Sequence, residues 1–416
     1  MVVTMEKRAY SFIDRAFLLF LFVIPFMPMP TMEGWPRLIA PVASAALLYL
    51  FILWFLMSRS FSFQKNPQVG ALIILSVIIV ALYFLRIAMN GEWEEASRLV
   101  SKALFYFTIA AFFVWMAGRE IPLKTAFKPF FYGVVILSLL IIFSGITGFA
   151  PLETVRPGRT YGITLPFYKV SFIPRSFGEL GIFLTAAWAY FLSYRKDYGL
   201  ATRLFFGVAL FLAVVITQSR NTYLAVVVAT AVYIMLRTKV TNRAVAVVIL
   251  AAWLMPFIIS VIPRDIPVFS ALVGEGTWER NVNVRLMSYS AAVDMITESP
   301  GRFLLGIPHS VWVNHFSELE GVDATMHNHF LSSIMFLGFI GGILDILVLM
   351  IPVARLLKRP DYRDKDVSLL LTMTAGALTC LNFYEGFYST VLAFEIGALW
   401  YSYSLIKVRD VERVVR

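Results

Sequence analysis

Long apolar runs recur along almost the whole chain, separated by short clusters of Lys, Arg, Pro and Gly. A bilayer core of about 30 Å is crossed by about 20 mostly apolar helical residues. On that rule the pattern predicts twelve spans. The first six are Ala16 to Met29, Leu38 to Met57, Val69 to Met89, Leu99 to Ala117, Phe130 to Phe149 and Ser176 to Tyr194. The rest are Leu204 to Thr217, Thr222 to Leu236, Ala244 to Ile262, Phe330 to Val353, Ser368 to Phe387 and Thr390 to Ile406. The seventh and eighth are short and are separated only by Gln218-Ser219-Arg220-Asn221, which predicts a tight helical hairpin.

Two connections are long: Ala150 to Arg175, and Pro263 to Met326 with about 64 residues. Connections of such length are typically functional or disordered. In the larger one, Val284 to Thr297 places Leu286, Tyr289, Val293 and Ile296 on one helical stripe, which Pro300-Gly301 ends. This predicts an amphipathic helix that lies on the membrane or caps the bundle. No internal repeat of the inverted-repeat transporter type is visible. The chain thus divides into residues 1–262 with nine spans, a large loop over 263–326, and residues 327–416 with three spans and a basic tail. The fold class is all-α: a polytopic membrane protein with about twelve transmembrane helices and one large, partly helical loop.

Composition sharpens this picture. Apolar residues make up 59% and charged residues 15%, against about 45–50% and 25% in soluble domains. That excess excludes a soluble enzyme, a secreted disulfide scaffold and a DNA-binding domain. Cys380 is the single cysteine and sits in an apolar run, so it reads as a small core hydrophobe. The first apolar stretch runs through Pro25, Pro28 and Pro30 without an Ala-x-Ala-type site and reads as a span rather than a cleaved signal. The net charge of +10 follows from topology. With the N-terminus inside and the spans alternating, 23 of the 36 Lys and Arg residues fall on the inner side. The positive-inside rule then puts both termini in the cytoplasm and the large loop outside. No nucleic-acid partner is needed to explain the charge.

The candidate chemistry gathers on the outer side. All four histidines, His309, His315, His327 and His329, lie at the end of the large loop and the start of the tenth span. Histidine is the commonest general base, although an interfacial loop also tolerates it without function. A zinc reading lacks a nearby cysteine and a recognisable ligand spacing. Arg156, Arg159, Lys169 and Arg175 flank the first long loop, Arg220 sits in the tight turn, and Arg285 starts the amphipathic helix. Guanidinium groups bind phosphate in a bidentate fork at any relevant pH. Pairing with outer acids or snorkelling to headgroups is the bland alternative, least suited to Arg220 in its short turn. Glu179, Asp345, Glu385 and Glu395 are intramembrane acids and therefore functional suspects. Asp345, roughly mid-span, reads as a helix-pairing residue.

Three of these segments resemble one family. His327-Asn328-His329-Phe330-Leu331 followed by Gly338 is similar to the H-N-x-x-L-x6-G signature that ends the large loop in the O-antigen ligase/polymerase superfamily. Thr217-Gln218-Ser219-Arg220 resembles that family's T-x-S-R turn. Arg285, Ser288-Tyr289, Pro300 and Gly306 resemble its R-x-x-x-W/Y…P…G pattern. The resemblance covers roughly Arg175 to Gly342.

It implies a membrane-embedded, metal-independent glycosyltransferase with no cofactor. The donor would be a glycan on a polyprenyl diphosphate, and the acceptor a hydroxyl of another glycan or of lipid A-core. On this reading Arg220, Arg285 and Arg175 bind the diphosphate, His327 takes the acceptor proton, and Asn328, Glu179 and Arg159 support the site. The helix over Val284 to Thr297 would bring Arg285 towards Arg220. Direct attack opposite the leaving diphosphate would invert the anomeric centre. Arg175-Ser176-Phe177-Gly178-Glu179 resembles the R-x-x-G-x-E-P pattern of polymerases, from which Leu180-Gly181 departs. A polymerase is the first expectation and a ligase the alternative. Such an enzyme would sit in the inner membrane with its site on the periplasmic face, alongside membrane lipid and other polysaccharide assembly proteins. A lipid-linked oligosaccharide flippase is the rival from another class, but the large loop carrying every histidine breaks the two-half symmetry a flippase should show.

Overall fold

A computed structural model describes residues 12–26, 67–91, 93–149, 153–156, 159–160, 163–164, 166, 168–172, 177–238, 241–261, 288–320, 328–358, 364–382 and 389–415. Helices dominate them. They are α1 (Phe12–Val23), α2 (Pro67–Asn90), α3 (Ala96–Arg119), α4 (Leu123–Thr147), α5 (Phe177–Tyr194), α6 (Leu200–Thr217), α7 (Arg220–Arg237) and α8 (Asn242–Val261). The large connection contributes α9 (288–297), α10 (Pro300–Leu305) and α11 (His309–Glu320). The chain closes with α12 (His329–Leu357), α13 (Lys365–Leu381) and α14 (Thr390–Val415). Leu38 to Met57, the second predicted span, lies outside the described residues. Among the described residues, five helices are long and apolar enough to cross a membrane: α2, α3 from Arg98, α4, α6 and α12.

The first long connection departs from the all-α pattern. Glu153–Arg156 (β1) pairs antiparallel with Lys169–Phe172 (β4), and Arg159–Thr160 (β2) with Ile163–Thr164 (β3). These ladders are short, and the chain remains an all-α protein.

Helices α5, α7 and α13 pack together, α3 packs on α14, and α4 lies between α1 and α6. Packing and polar contacts, rather than a hydrophobic drive, hold helices together in lipid. Aromatic rings fill the seams: Phe17 stacks on Trp115 at 4.8 Å, and Phe127 meets Phe394 at 4.4 Å. Asp14 of α1 accepts a hydrogen bond from Trp115 Nε1 at 3.1 Å, tying α1 to α3.

The tight turn expected between α6 and α7 forms. Gln218 ends α6 in the left-handed region (φ 47°), and the Ser219 hydroxyl caps α7 by accepting from Thr222 N at 3.4 Å. The cap meets one of the orphan N–H groups at the helix start.

The tenth span is not the single rod that its apolar run predicts. Ser333 Oγ donates to Asp345 Oδ2 at 2.6 Å, and His329 Nε2 lies 3.2 Å from the same oxygen. In a straight helix, residues 12 and 16 apart stand about 18 and 24 Å apart along the axis. The helix therefore folds back on itself at Gly338, whose backbone is non-helical (φ 69°, ψ 174°). Residues 329–337 form a short arm that packs along a long arm, 339–357. The long arm is about 28 Å long, enough to cross the apolar layer alone.

Two glycines make the reversal possible. A Cβ on Gly338 would stand 2.0 Å from Leu304 O, and one on Gly306 (φ 86°) 2.6 Å from Gly338 N. The two backbones touch, and both adopt the positive φ that glycine alone takes freely. The break also strips carbonyls of their helical partners. Ile307 N donates to Met335 O at 2.8 Å, and Arg86 Nη1 donates to Phe336 O at 3.0 Å.

A second, smaller core covers this vertex. It joins Ala292, Met295 and Ile296 of α9 to Ile307, Trp312, Met335 and Phe336. The buried face of α9 is thus rotated from the predicted stripe: Ile296 is buried, whereas Val293 is exposed. The neighbours that decide the rotation, Trp312 and Met335, come from elsewhere in the chain.

Candidate active site

The short arm carries the motif residues into the bundle. Asn328 caps it: its Oδ1 accepts from Leu331 N at 2.9 Å, and the residue is 2% exposed. His329 follows, 5% exposed, against the Asp345 carboxylate. Asp345 is held on both oxygens. Tyr106 of α3 donates to Oδ1 at 2.5 Å, and Ser333 donates to Oδ2. An acid in this setting must be paired or hydrogen-bonded, since an isolated charge costs several kcal/mol to bury. Asp345 does pair helices, as its position suggested, by linking α3 to α12. It also holds one of the motif histidines.

A second buried cluster secures the vertex. Arg86, 1% exposed, comes from the last turns of α2. Its Nη1 also donates to Ile307 O at 2.5 Å, and its Nη2 pairs with Glu95. Tyr83 donates to Glu95 Oε2 at 3.0 Å, and His309 N donates to Glu95 Oε1 at 2.5 Å. Burial alone would raise the Glu95 carboxyl, but the Arg86 charge, the His309 N–H and the Tyr83 hydroxyl outweigh it and hold the group below its usual range. Lys102, on the same face of α3 as Tyr106 and one turn away, sits over the Tyr83 ring at 4.6 Å.

The His309 imidazole, half-buried on α11, is pushed down from 6.5 to about 4, first by burial and then by the Arg98 charge. The unfolded chain therefore binds this proton at a higher pH than the folded chain does. Stability is lost as pH falls from about 6.5 towards about 4. Thermal unfolding of purified protein across that window should show a falling midpoint, and His309→Gln should flatten the fall. An identical pH slope in the variant would refute a contribution from His309.

The other predicted residues fall as follows. Arg220 is the first residue of α7, directly after the Ser219 cap. Arg159 opens β2. Glu179 is buried in the first turn of α5. His327, Arg285, Arg175 and Glu385 lie outside the described residues. His315 is exposed. Glu395 is buried in α14, and its Oε1 has no hydrogen-bond partner among the described residues. Sequence reasoning assigned no role to Tyr83, Arg86, Glu95 or Tyr106. The available signal was a lone arginine inside an otherwise apolar run, which the run's average hydropathy conceals.

A helical bundle with apolar spans, a covered helix reversal and buried His, Asp and Arg clusters defines a polytopic membrane protein with a polar site sunk among its helices. Residues 205–345 match the family model of O-antigen ligases, so a domain of the O-antigen ligase/polymerase superfamily occupies that stretch. Members of this family are glycosyltransferase-like ligases or polymerases. The matched stretch contains the Thr217–Arg220 turn, the short arm and Asp345. No curated protein and no solved structure matches the chain.

Proposed function

We propose that the protein is a metal-independent, inverting glycosyltransferase that moves a glycan from a polyprenyl diphosphate to an acceptor hydroxyl, acting as a polymerase of surface polysaccharide. The observation that carries this reading is the match of residues 205–345 to the O-antigen ligase family, with its motif residues Asn328 and His329 buried at the start of the short arm. The donor's diphosphate lies at headgroup level. Departure of a diphosphate from C1 of a sugar develops negative charge, which preplaced guanidinium groups of Arg220, Arg285 and Arg175 stabilise without a metal. His327 takes the proton of the attacking hydroxyl. The Arg175–Glu179 pattern favours a polymerase. The family's description as O-antigen ligases supports transfer to lipid A-core as the second reading.

Purified protein supplied with polyprenyl-diphosphate oligosaccharide tests both. Longer glycans with release of polyprenyl diphosphate are expected. Transfer only after lipid A-core is added would mean a ligase. No transfer to either acceptor, with lipid-linked glycan crossing a bilayer instead, would sink the enzyme reading in favour of a flippase.

A further inference from the structure

We propose that Asp345 is a positioning residue for glycan transfer: with Tyr106 and Ser333 it fixes His329, and through it the His327–Asn328 end of the short arm. The proposal rests on the glycosyltransferase reading for its kinetic consequences, but its geometric content stands apart from that reading.

The short arm is nine residues long, about 13 Å. Its vertex end is held by the contact of Gly306 with Gly338 and by Arg86. Its other end carries the motif residues, and there the Asp345 carboxylate is a polar anchor. The carboxylate joins three elements at that end: His329 and Ser333 from the short arm, Asp345 itself from the long arm, and Tyr106 from α3. All four residues are buried. The contact to Asp345 engages His329 through Nε2, so the imidazole is oriented by a carboxylate, the arrangement that gives a histidine a defined ring position and tautomer. His327 is two peptide bonds from His329, so covalent geometry keeps its Cα within about 7 Å of that of His329. A base must stand within hydrogen-bond reach of the proton it removes, and displacement by about 1 Å can cost about 10²-fold in rate. Asp345 therefore acts on the reaction through His329 without touching substrate.

The test compares four variants in the transfer assay: Asp345→Asn, His329→Ala, His329→Gln and Tyr106→Phe. Asp345→Asn and His329→Ala should lower kcat by about 10- to 100-fold with donor KM changed less than about threefold. Tyr106→Phe, which leaves two donors on Asp345, should lose less. His329→Gln keeps an N–H that reaches Asp345 and should recover most of kcat. Full kcat in Asp345→Asn overturns the proposal. So does a His329→Gln variant as inactive as His329→Ala, because the imidazole itself would then be the reacting group.

A second measurement does not depend on turnover. In a Cys380→Ala background, spin labels at Leu331→Cys on the short arm and Val100→Cys report the distance from that arm to α3. The distribution should be narrow in the parent and broadened by Asp345→Asn. Unchanged width refutes the positioning role even if the protein proves not to be a glycosyltransferase, and absence of transfer in the parent with the broadening intact refutes only the enzyme reading.

Discussion

His327→Ala should lower turnover by about 10²–10⁴-fold while donor binding stays nearly intact. That is the usual cost of removing a general base. The acceptor proton is lost only as the new glycosidic bond forms, so the interaction exists in the transition state and not in the ground state. Arg220→Ala and Arg285→Ala should behave differently, weakening donor binding and turnover together, because the diphosphate is present in both states. Lysine at either position should rescue in part, since a point charge cannot reproduce the guanidinium fork. Parallel measurement of kcat and donor dissociation constants in these variants separates the two behaviours. Retained turnover in His327→Ala would place the base elsewhere, and strong inhibition by a chelator, reversed by added metal, would remove the metal-free mechanism.

The largest structural effect should come from Gly338→Ala. The new methyl would stand 2.0 Å from Leu304 O, a backbone atom fixed by its own helix, while Gly338 holds φ at 69°. Neither strain can relax without opening the reversal, so the loss should reach the exceptional range above about 4 kcal/mol and appear as failure to accumulate folded protein. Gly91 supplies the control. It has the same φ of 69° but no atom of the described residues within 4 Å of an added Cβ, so Gly91→Ala carries the backbone cost, about 1–2 kcal/mol. Equal losses in thermal stability at the two positions would show that packing at the vertex contributes nothing.

These two expectations draw on different sources, and the difference marks what the sequence made legible. The helices could be read from hydropathy because a membrane helix must be apolar over most of its length. Even their errors have simple causes: α4 begins at Leu123 rather than Phe130 because Lys124 and Lys128 are good helix formers that hydropathy scores against. The turn at Thr217–Arg220 was legible because short polar residues punctuate two apolar runs. The reversal at Gly338 was not. Leu337, Gly338 and Phe339 are all apolar, so the run continues unbroken while the backbone turns round. The partnership of His329 with Asp345 was hidden for the same reason, since a straight helix would keep residues 16 apart about 24 Å from each other. The role of Arg86 depends on Ile307 and Phe336, more than two hundred residues away.

The vertex joins parts of the chain with different standing. Gly306, Ile307, Phe336 and Gly338 belong to the stretch shared with the O-antigen ligase family, whereas Arg86 and Glu95 precede it by more than a hundred residues. The shared stretch is therefore not a portable cassette. Recombination that grafts it onto a foreign N-terminal half transplants the reversal without the cation that receives its stripped carbonyls. Inheritance should keep the two halves together, with residues at 86 and 95 changing in concert, and any donor half that lacks this pair must supply another latch of its own.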